Sequence, residues 1–170
     1  MTKNISLIGP MGAGKSSIGK RLAKQLKQAF FDSDRIIEEK TGVVISTIFE
    51  LEGEPGFRNR EAKVLSELLE NEGAVIATGG GIVLAEENRR LLSQNSTIVY
   101  LKASVDTQIN RTKHDKKRPL LQTEDRYNTL EALAKQRNPL YESLANITID
   151  TNQQSIPKSV EQIIQQLKTR

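Results

Sequence analysis

Short β-branched runs alternate along the chain with stretches whose apolar residues recur at helical spacing. The runs at 5–8, 30–32, 74–78, 97–101 and 147–150 predict strands. Between them, Ile18, Leu22 and Leu26 lie four residues apart, which indicates an amphipathic helix. Such alternation is typical of a parallel sheet covered by helices. It predicts one α/β domain over residues 1–170, a three-layer, doubly wound, five-stranded parallel sheet.

Two stretches interrupt this alternation. Residues 34–69 form a long, mostly helical insertion with a Gly-Glu-Pro-Gly turn at 53–56. Residues 113–126 are charged, contain Pro119 and show little periodicity. In compact α/β domains, such excursions commonly bind substrates or form lids. We therefore predict a substrate-binding segment at about 33–61 and a lid at about 112–124, and we expect the lid to bury little apolar surface.

Composition narrows the classes of function. The chain of 170 residues has no Cys, which excludes disulfides, Cys-ligated zinc, iron–sulfur clusters and thiol catalysis. Its apolar runs are far shorter than a bilayer span, and its first residues lack the features of a secretory signal. We therefore expect a cytoplasmic protein that does not interact with membranes.

The net charge of +4 and the pI near 9.3 raise the alternative of a nucleic-acid partner. Apart from a cluster at 113–118, however, the basic residues are scattered, and neither an RNA-binding aromatic signature nor zinc-finger spacing accompanies them. A site for polyanionic ATP would also gather Lys and Arg. We expect no nucleic-acid partner, and a monomer.

Residues 9–16 read G-P-M-G-A-G-K-S and fit the phosphate-binding pattern G-x-x-x-x-G-K-[ST]. The glycines let backbone N–H groups approach phosphate oxygens, and the following helix N-terminus adds its positive dipole. Lys15 supplies charge for the β- and γ-phosphates, and the Ser16 hydroxyl is a Mg²⁺ ligand. The alternative is a glycine-rich turn with an incidental lysine. The predicted ATP contacts in this loop are Gly12, Ala13, Gly14, Lys15, Ser16 and Ser17.

A second motif suggests a GTPase. Residues 112–115 read T-K-H-D, similar to the [NT]-K-x-D base-reading motif. That motif should follow a core strand, whereas a charged helical run precedes this one. We therefore disfavour a GTPase and interpret His114 as an exposed loop residue.

Two features follow predicted strands. Asp32 and Asp34 lie two residues apart on a segment that we expect to be extended, so both carboxylates should point the same way. They lie at the carboxyl end of a strand beside the phosphate-binding loop, where Mg²⁺ and the attacking hydroxyl are expected to bind. The alternative is a helix N-cap formed by Ser33 or Asp34. Gly79, Gly80 and Gly81 follow the third strand and favour a close approach of backbone to the γ-phosphate or the acceptor, the alternative being a flexible turn.

Six motifs in order carry a resemblance over nearly the whole chain: GPMGAGKS, DSD at 32–34, GEPGFRNRE around Arg58, ATGGG, KKRPLL around Arg118 and RNPLYE around Arg137. Together they resemble the shikimate kinase family. The resemblance implies a P-loop fold and transfer of the γ-phosphate of ATP to the 3-hydroxyl of shikimate, in aromatic amino-acid biosynthesis. It also implies Mg²⁺ as cofactor, with ATP and shikimate as the small-molecule partners.

The resemblance further implies roles for individual residues. Asp32 would hold Mg²⁺ beside Ser16, and Asp34 would contact the 3-hydroxyl as candidate base. Arg58 and Arg137 would clamp the substrate carboxylate, a task that suits the guanidinium fork. Three further assignments concern Gly79–81 as the backbone wall of the acceptor pocket, Arg118 as the lid residue that reaches the phosphate, and Arg111 as the residue that stacks on adenine. Lys15, Asp34 and Arg118 would be the catalytic residues.

Each arginine also has a simpler interpretation. Arg58 could be a surface partner of Glu61 at i+3, which we expect to orient Arg58 in either case. Arg137 could be an exposed helix residue, and Arg118 could belong to a solvated loop.

Some family members have an arginine that contacts adenine near 150–154, where this chain has amides, so we leave that contact unassigned. Two rival functions are another small P-loop kinase, for gluconate or a nucleoside monophosphate, and a non-catalytic nucleotide switch.

Overall fold

The computed structural model describes residues 2–115, 119–121 and 124–170. The strands are β1 (Asn4–Ile8), β2 (Phe30–Asp32), β3 (Val75–Ala77), β4 (Ser96–Lys102) and β5 (Ile147–Asp150). The helices of this part of the chain are α1 (Lys15–Leu26), α2 (Ser33–Thr41), α3 (Ile45–Leu69), α4 (Glu86–Asn95), α5 (Val105–Thr112), α6 (Arg126–Leu144) and α7 (Ile156–Lys168). Each predicted strand is present, with ends that differ by at most one residue.

The strands form one parallel sheet in the order β2-β3-β1-β4-β5. In the register, Leu7 of β1 lies opposite Ala77 of β3 and Val99 of β4. The strand order reverses beside β1, which is where open α/β sheets bind ligands. The predicted doubly wound five-stranded sheet is confirmed.

Apolar side chains cover both faces of the sheet, because successive strand residues point to opposite sides. Within β4, Val99 packs in a cluster with α1 and α7, whereas Tyr100 packs in a second cluster with α2, α3, α4 and α6. Leu22 of α1 and Leu65 of α3 are fully buried in these clusters. The two cores hold the strands rigidly, so the loops at the strand ends are fixed in position.

Helix α3 contains the predicted break. Gly53 has φ 71° and ψ −179°, a non-helical conformation that suits glycine, and Pro55 opens the second half of the helix. In that half, Phe57, Glu61 and Val64 share the buried face. The break therefore turns a charged residue, Glu61, toward the protein interior.

The lid prediction is tested only in part. Thr112 ends α5, and Pro119–Leu121 form a short 3₁₀ turn packed against α3 and α6. Leu121 is fully buried, so the expectation that this segment buries little apolar surface is wrong at that residue. Arg118 lies outside the described residues.

The carboxyl ends of the parallel strands meet at one edge of the sheet. β1 leads there into the loop at 9–14, β2 ends at Asp32, β3 leads to the glycines at 79–81, and β5 leads to Thr151. The motifs predicted from sequence thus converge in space. In the described part of the chain, no helix is long and apolar enough to cross a membrane.

Candidate active site

A cleft of about 1000 Å³ opens at this edge of the sheet. Its walls come from the loop at 9–14, the start of α2, both halves of α3, the glycines after β3, α5, α6 and the start of α7. Of the site residues predicted from sequence, all that the structure describes line it: Gly12, Ala13, Gly14, Lys15, Ser16, Ser17, Asp32, Asp34, Arg58, Gly79, Gly80, Gly81, Arg111 and Arg137.

The loop at 9–14 presents backbone and a lysine to the cleft. Gly12 and Gly14 have φ 76° and 90°, left-handed conformations that glycine adopts without steric cost. Gly14 is the N-cap of α1, whose first turn contains no acidic side chain, so the positive helix end is not neutralised locally. The Lys15 ammonium donates to the carbonyl oxygens of Gly9 at 2.7 Å and Pro10 at 2.8 Å. This arrangement suits a phosphate anion.

Ser16 and Asp32 lie in direct contact. The Ser16 hydroxyl donates to Asp32 Oδ2, while Asp32 Oδ1 accepts from the backbone N–H groups of Asp34 at 3.1 Å and Arg35 at 3.2 Å. Asp32 is therefore the N-cap of α2, and the alternative that Ser33 or Asp34 is the cap is wrong. Capping fixes the carboxylate so that its second oxygen meets Ser16.

This hydroxyl–carboxylate pair fits a magnesium ion. Mg²⁺ in nucleotide sites is held by one or two protein oxygens together with substrate phosphates and water. In the described part of the chain, no cluster of three or more His, Cys, Asp and Glu side chains could hold a metal by itself. A metal at Ser16 and Asp32 would therefore complete its coordination with groups from outside the protein, such as phosphate oxygens and water.

Two carboxylates converge above Gly79. A Cβ atom at Gly79 would lie 2.9 Å from Asp34 Oδ1 and 2.9 Å from Glu61 Oε2, so a side chain there would have to displace these carboxylates. Asp34 lies in the first turn of α2, so its predicted position on an extended segment is wrong, and Glu61 lies on the buried face of α3. Glycine at position 79 thus leaves room for two acids from different elements.

Glu61 is completely buried. Burial raises the pKa of its carboxyl, because desolvation disfavours the charged form and outweighs the attraction of Arg58 and Arg137. Glu61 Oε1 accepts from Arg58 Nη1 at 2.9 Å, which confirms the expected i+3 pair. Its other oxygen, Oε2, accepts no hydrogen bond from the described residues.

Arg58 is held by two acids. Burial acts to lower the pKa of its guanidinium, but Glu61 and Glu54 outweigh that effect, so the pKa is raised. The Arg58 side chain is 23% exposed and packs over the Phe57 ring. A Cβ atom at Gly81 would lie 2.6 Å from its Cζ. Arg58 is therefore a fixed, permanently charged group at the acceptor wall.

Arg137 is 5% exposed, so the interpretation as an exposed helix residue is wrong. Burial lowers the pKa of its guanidinium, because desolvation disfavours the charge. Its Nη1 lies 3.4 Å from the Cβ position of Gly80, and its buried Nε has no hydrogen-bond acceptor within the described ranges. A buried cation facing the cleft is suited to bind an anionic group.

Sequence reasoning missed an apolar surface in the cleft, on the side where Arg58 lies. Ile45, Phe49 and Phe57 line the cleft, and the two Phe rings lie 4.9 Å apart between centroids. Phe57 precedes Arg58 and lies four residues before Glu61, so helical periodicity could have found it. Phe49 lies on the other side of the break at Gly53, so the helical periodicity of the second half of α3 does not extend to it.

Arg111 links two loops at the other end of the cleft. Its Nη1 donates to the Gly12 carbonyl at 3.0 Å and to Thr151 Oγ1 at 3.1 Å, and its Nη2 donates to the Thr151 carbonyl at 2.5 Å. Gln154 and Ser155, left unassigned from sequence, line the same end.

The GTPase interpretation is not supported. His114 is exposed, as expected, and Thr112 ends a helix, unlike the strand context that a GTPase motif requires.

The family model for shikimate kinase matches residues 11–168. A shikimate kinase of Actinobacillus pleuropneumoniae is 56% identical over 163 residues, which cover 96% of this chain and 94% of that relative. One of Vibrio cholerae is 52% identical over 98% of this chain and 95% of its own length.

Solved structures agree with these sequence matches. The chain is similar to the shikimate kinase from Acinetobacter baumannii in complex with shikimate, with a TM-score of 0.97, 47% identity and coverage of 99% and 94% of the two chains. A gluconokinase from Sinorhizobium meliloti has a TM-score of 0.57 at 16% identity, covering 98% and 96% of the two chains, and is similar in fold alone.

Proposed function

Because the chain belongs to the shikimate kinase family and is an enzyme of the kinase class, we propose the reaction in detail. The γ-phosphate of ATP passes to the 3-hydroxyl of shikimate, which gives shikimate 3-phosphate and ADP. The observation that carries this proposal is the glycine wall, defined as Gly79–81. Each of its glycines faces a different charged group: Gly79 faces Asp34 and Glu61, Gly80 faces Arg137, and Gly81 faces Arg58.

The wall suits a small, polyhydroxylated carboxylate. Arg58 and Arg137 supply the cations for the carboxylate end, and charge-assisted bonds from guanidinium are among the strongest available to it. Asp34 accepts a hydrogen bond from the 3-hydroxyl. Ile45, Phe49 and Phe57 offer an apolar surface to the ring.

ATP binds with its phosphates in the loop at 9–14. Backbone N–H groups of Gly12, Ala13 and Gly14 donate to phosphate oxygens, with Ser16 and Ser17 at the start of α1. Lys15 leaves its present carbonyl partners to reach the β- and γ-phosphates. Arg111 then lies beside the base, with Gln154 and Ser155 as further candidate contacts. Ser16 and Asp32 would hold Mg²⁺, which would supply charge neutralisation of the phosphates.

Transfer requires positioning and charge neutralisation more than covalent work by the protein. The 3-hydroxyl oxygen forms a bond to the γ-phosphorus, the bond from that phosphorus to the bridging oxygen breaks, and ADP leaves. Asp34 aligns the hydroxyl and accepts its proton. Lys15 neutralises charge on the transferring phosphate, and Arg118 reaches it from the segment at about 112–124 when that segment closes.

The remaining expectations belong to the same proposal. The enzyme acts in the cytoplasm, in aromatic amino-acid biosynthesis, as a monomer without nucleic-acid or membrane partners. Another small P-loop kinase activity is the alternative. A nucleoside monophosphate would offer a phosphate and a base to the cations Arg58 and Arg137. Gluconate offers a carboxylate, as shikimate does, so the acceptor assay must separate these two acids.

The test is ADP release measured in a coupled assay. We expect rapid release with shikimate, and only a slow background without an acceptor or with gluconate or a nucleoside monophosphate. Equal rates for gluconate and shikimate would overturn the assignment of the acceptor.

A further inference from the structure

A fully buried tyrosine lies behind the glycine wall. Tyr141 of α6 follows Arg137 by one helical turn and is 0% exposed. Its hydroxyl donates to the Gly80 carbonyl oxygen at 2.5 Å, a contact between residues 61 positions apart. We propose that Tyr141 is a positioning residue: by holding the Gly80 carbonyl behind the wall, it turns the Gly81 N–H toward the cleft, where that group donates to the acceptor.

Peptide geometry links the direction of the Gly80 carbonyl to that of the Gly81 N–H. In a planar trans peptide the carbonyl and the following N–H point in opposite directions, and no cis peptide occurs in the described chain. Tyr141 draws the Gly80 carbonyl away from the cleft, so the Gly81 N–H is directed into it. In the part of the chain that the structure describes, no hydrogen bond from the Gly81 N–H is found. A donor is therefore available on the side where Arg58 lies.

The Gly80 peptide needs a partner to hold it in one orientation. Three consecutive glycines have wide backbone freedom unless their peptides are held. The Gly79 carbonyl accepts from Ile82 N–H at 3.1 Å, and the Gly81 carbonyl accepts from Leu84 N–H at 3.1 Å. These backbone bonds fix the outer two glycines. The middle carbonyl, at Gly80, is held by the side chain of Tyr141.

The surroundings of the Tyr141 phenol keep its hydroxyl protonated and its ring in place. Burial raises the pKa of Tyr141, so its hydroxyl remains a donor throughout the neutral range, although the charge of Arg137 and a hydrogen-bonding contact between the two side chains oppose that shift. The Tyr141 ring stacks on the Tyr100 ring with centroids 5.2 Å apart. The hydroxyl is thus seated between a fixed aromatic partner and the wall.

Tyr100 supplies a matched control. It belongs to the same stacked pair and is also buried, but its hydroxyl has no hydrogen-bond partner among the described residues. Removing that hydroxyl leaves the ring stack and the glycine wall untouched. The pair therefore separates the loss of a hydroxyl from a buried ring from the loss of the contacts that the Tyr141 hydroxyl makes with the Gly80 carbonyl and the Arg137 side chain.

The experiment compares Tyr141→Phe with Tyr100→Phe. In Tyr141→Phe we expect the KM for shikimate to rise about tenfold, with the KM for ATP unchanged within about twofold, because one positioned donor is lost on the acceptor side only. Tyr100→Phe should leave both KM values unchanged. An unchanged KM for shikimate in Tyr141→Phe, or equal rises for both substrates, would overturn the inference.

A second measurement uses the wild-type protein and does not depend on the folding of a variant. In ¹⁵N-labelled protein, the Gly81 amide proton should shift downfield when shikimate is added. No shift would overturn the inference. The inference rests on the proposed function, but the two fail differently. If wild-type protein releases no ADP with shikimate, the proposed function is wrong. Normal ADP release with an unshifted Gly81 amide contradicts only the positioning role of Tyr141.

Discussion

The two ends of the cleft differ in the groups that they present to a ligand. The phosphate end consists of backbone from the loop at 9–14, a lysine hydrogen-bonded to carbonyls, and Arg111, an exposed residue. The acceptor end consists of buried charges, Glu61 and Arg137, with the partly buried Arg58 pressed against glycine backbone. Phosphate binding thus depends on loop conformation, whereas acceptor recognition depends on particular side chains that cost free energy to bury. Substitutions at the acceptor end should have larger and more selective effects.

The largest expected effect is on turnover. In Asp34→Asn the shape is retained but the charge that aligns the hydroxyl and accepts its proton is lost, so kcat should fall by about 10²–10⁴-fold. Steady-state ADP release measures this. Asp106→Asn, an exposed acid in the first turn of α5, is the control and should be neutral. Near-normal turnover in Asp34→Asn would remove the base role.

The glycine wall should tolerate alanine unequally. In Gly79→Ala the new Cβ would lie 2.9 Å from two carboxylate oxygens, and such overpacking costs about 1–3 kcal/mol of the free energy of unfolding. In Gly80→Ala the nearest atom is 3.4 Å away, an ordinary contact, so the loss should be below about 1 kcal/mol. Urea unfolding measures both. Equal losses would mean that the two acids move aside easily.

Arg111→Ala tests the phosphate end. It removes hydrogen bonds that join Gly12 and Thr151, each worth about 1 kcal/mol, so the KM for ATP should rise about 3–10-fold while the KM for shikimate is retained. Arg90→Ala, an exposed arginine of α4, is the matched control. A rise confined to the KM for shikimate would contradict the division of the cleft into two ends.

The smallest expected effect is on the pH dependence of stability. Because the pKa of Glu61 is raised in the folded state above its ordinary 4.5, the native protein binds the proton more tightly than the unfolded chain in that window. The free energy of unfolding should therefore receive a negative slope as pH rises from about 4.5 through the raised pKa. Glu61→Gln should remove this slope, whereas Glu131→Gln, at an exposed site, should not. Identical slopes for wild type and Glu61→Gln would contradict the raised pKa.

Much of this architecture could be predicted from sequence, because strand periodicity and the phosphate loop are local signals. The strands at 30–32 and 147–150 match the structure at both ends. The loop at 9–14 is recognisable because its conformation requires glycine and lysine at fixed spacing.

The remaining features depend on contacts between distant residues. Three polar residues at 32–34 could each cap α2, and only the position of Ser16 shows why Asp32 serves both as cap and as partner of that hydroxyl. The burial of Leu121 depends on packing against α3 and α6, which no local pattern encodes. Likewise, nothing between Gly80 and Tyr141 in the sequence signals their hydrogen bond.

The most direct test of the division between the two ends is calorimetry on Arg137→Ala, with Lys135→Ala on the same helix as the exposed control. Removing the buried cation should weaken shikimate binding by roughly 2–5 kcal/mol, while the affinity for ATP stays near that of the wild type. The control should bind both normally. Equal losses of shikimate and ATP affinity in Arg137→Ala would contradict the account.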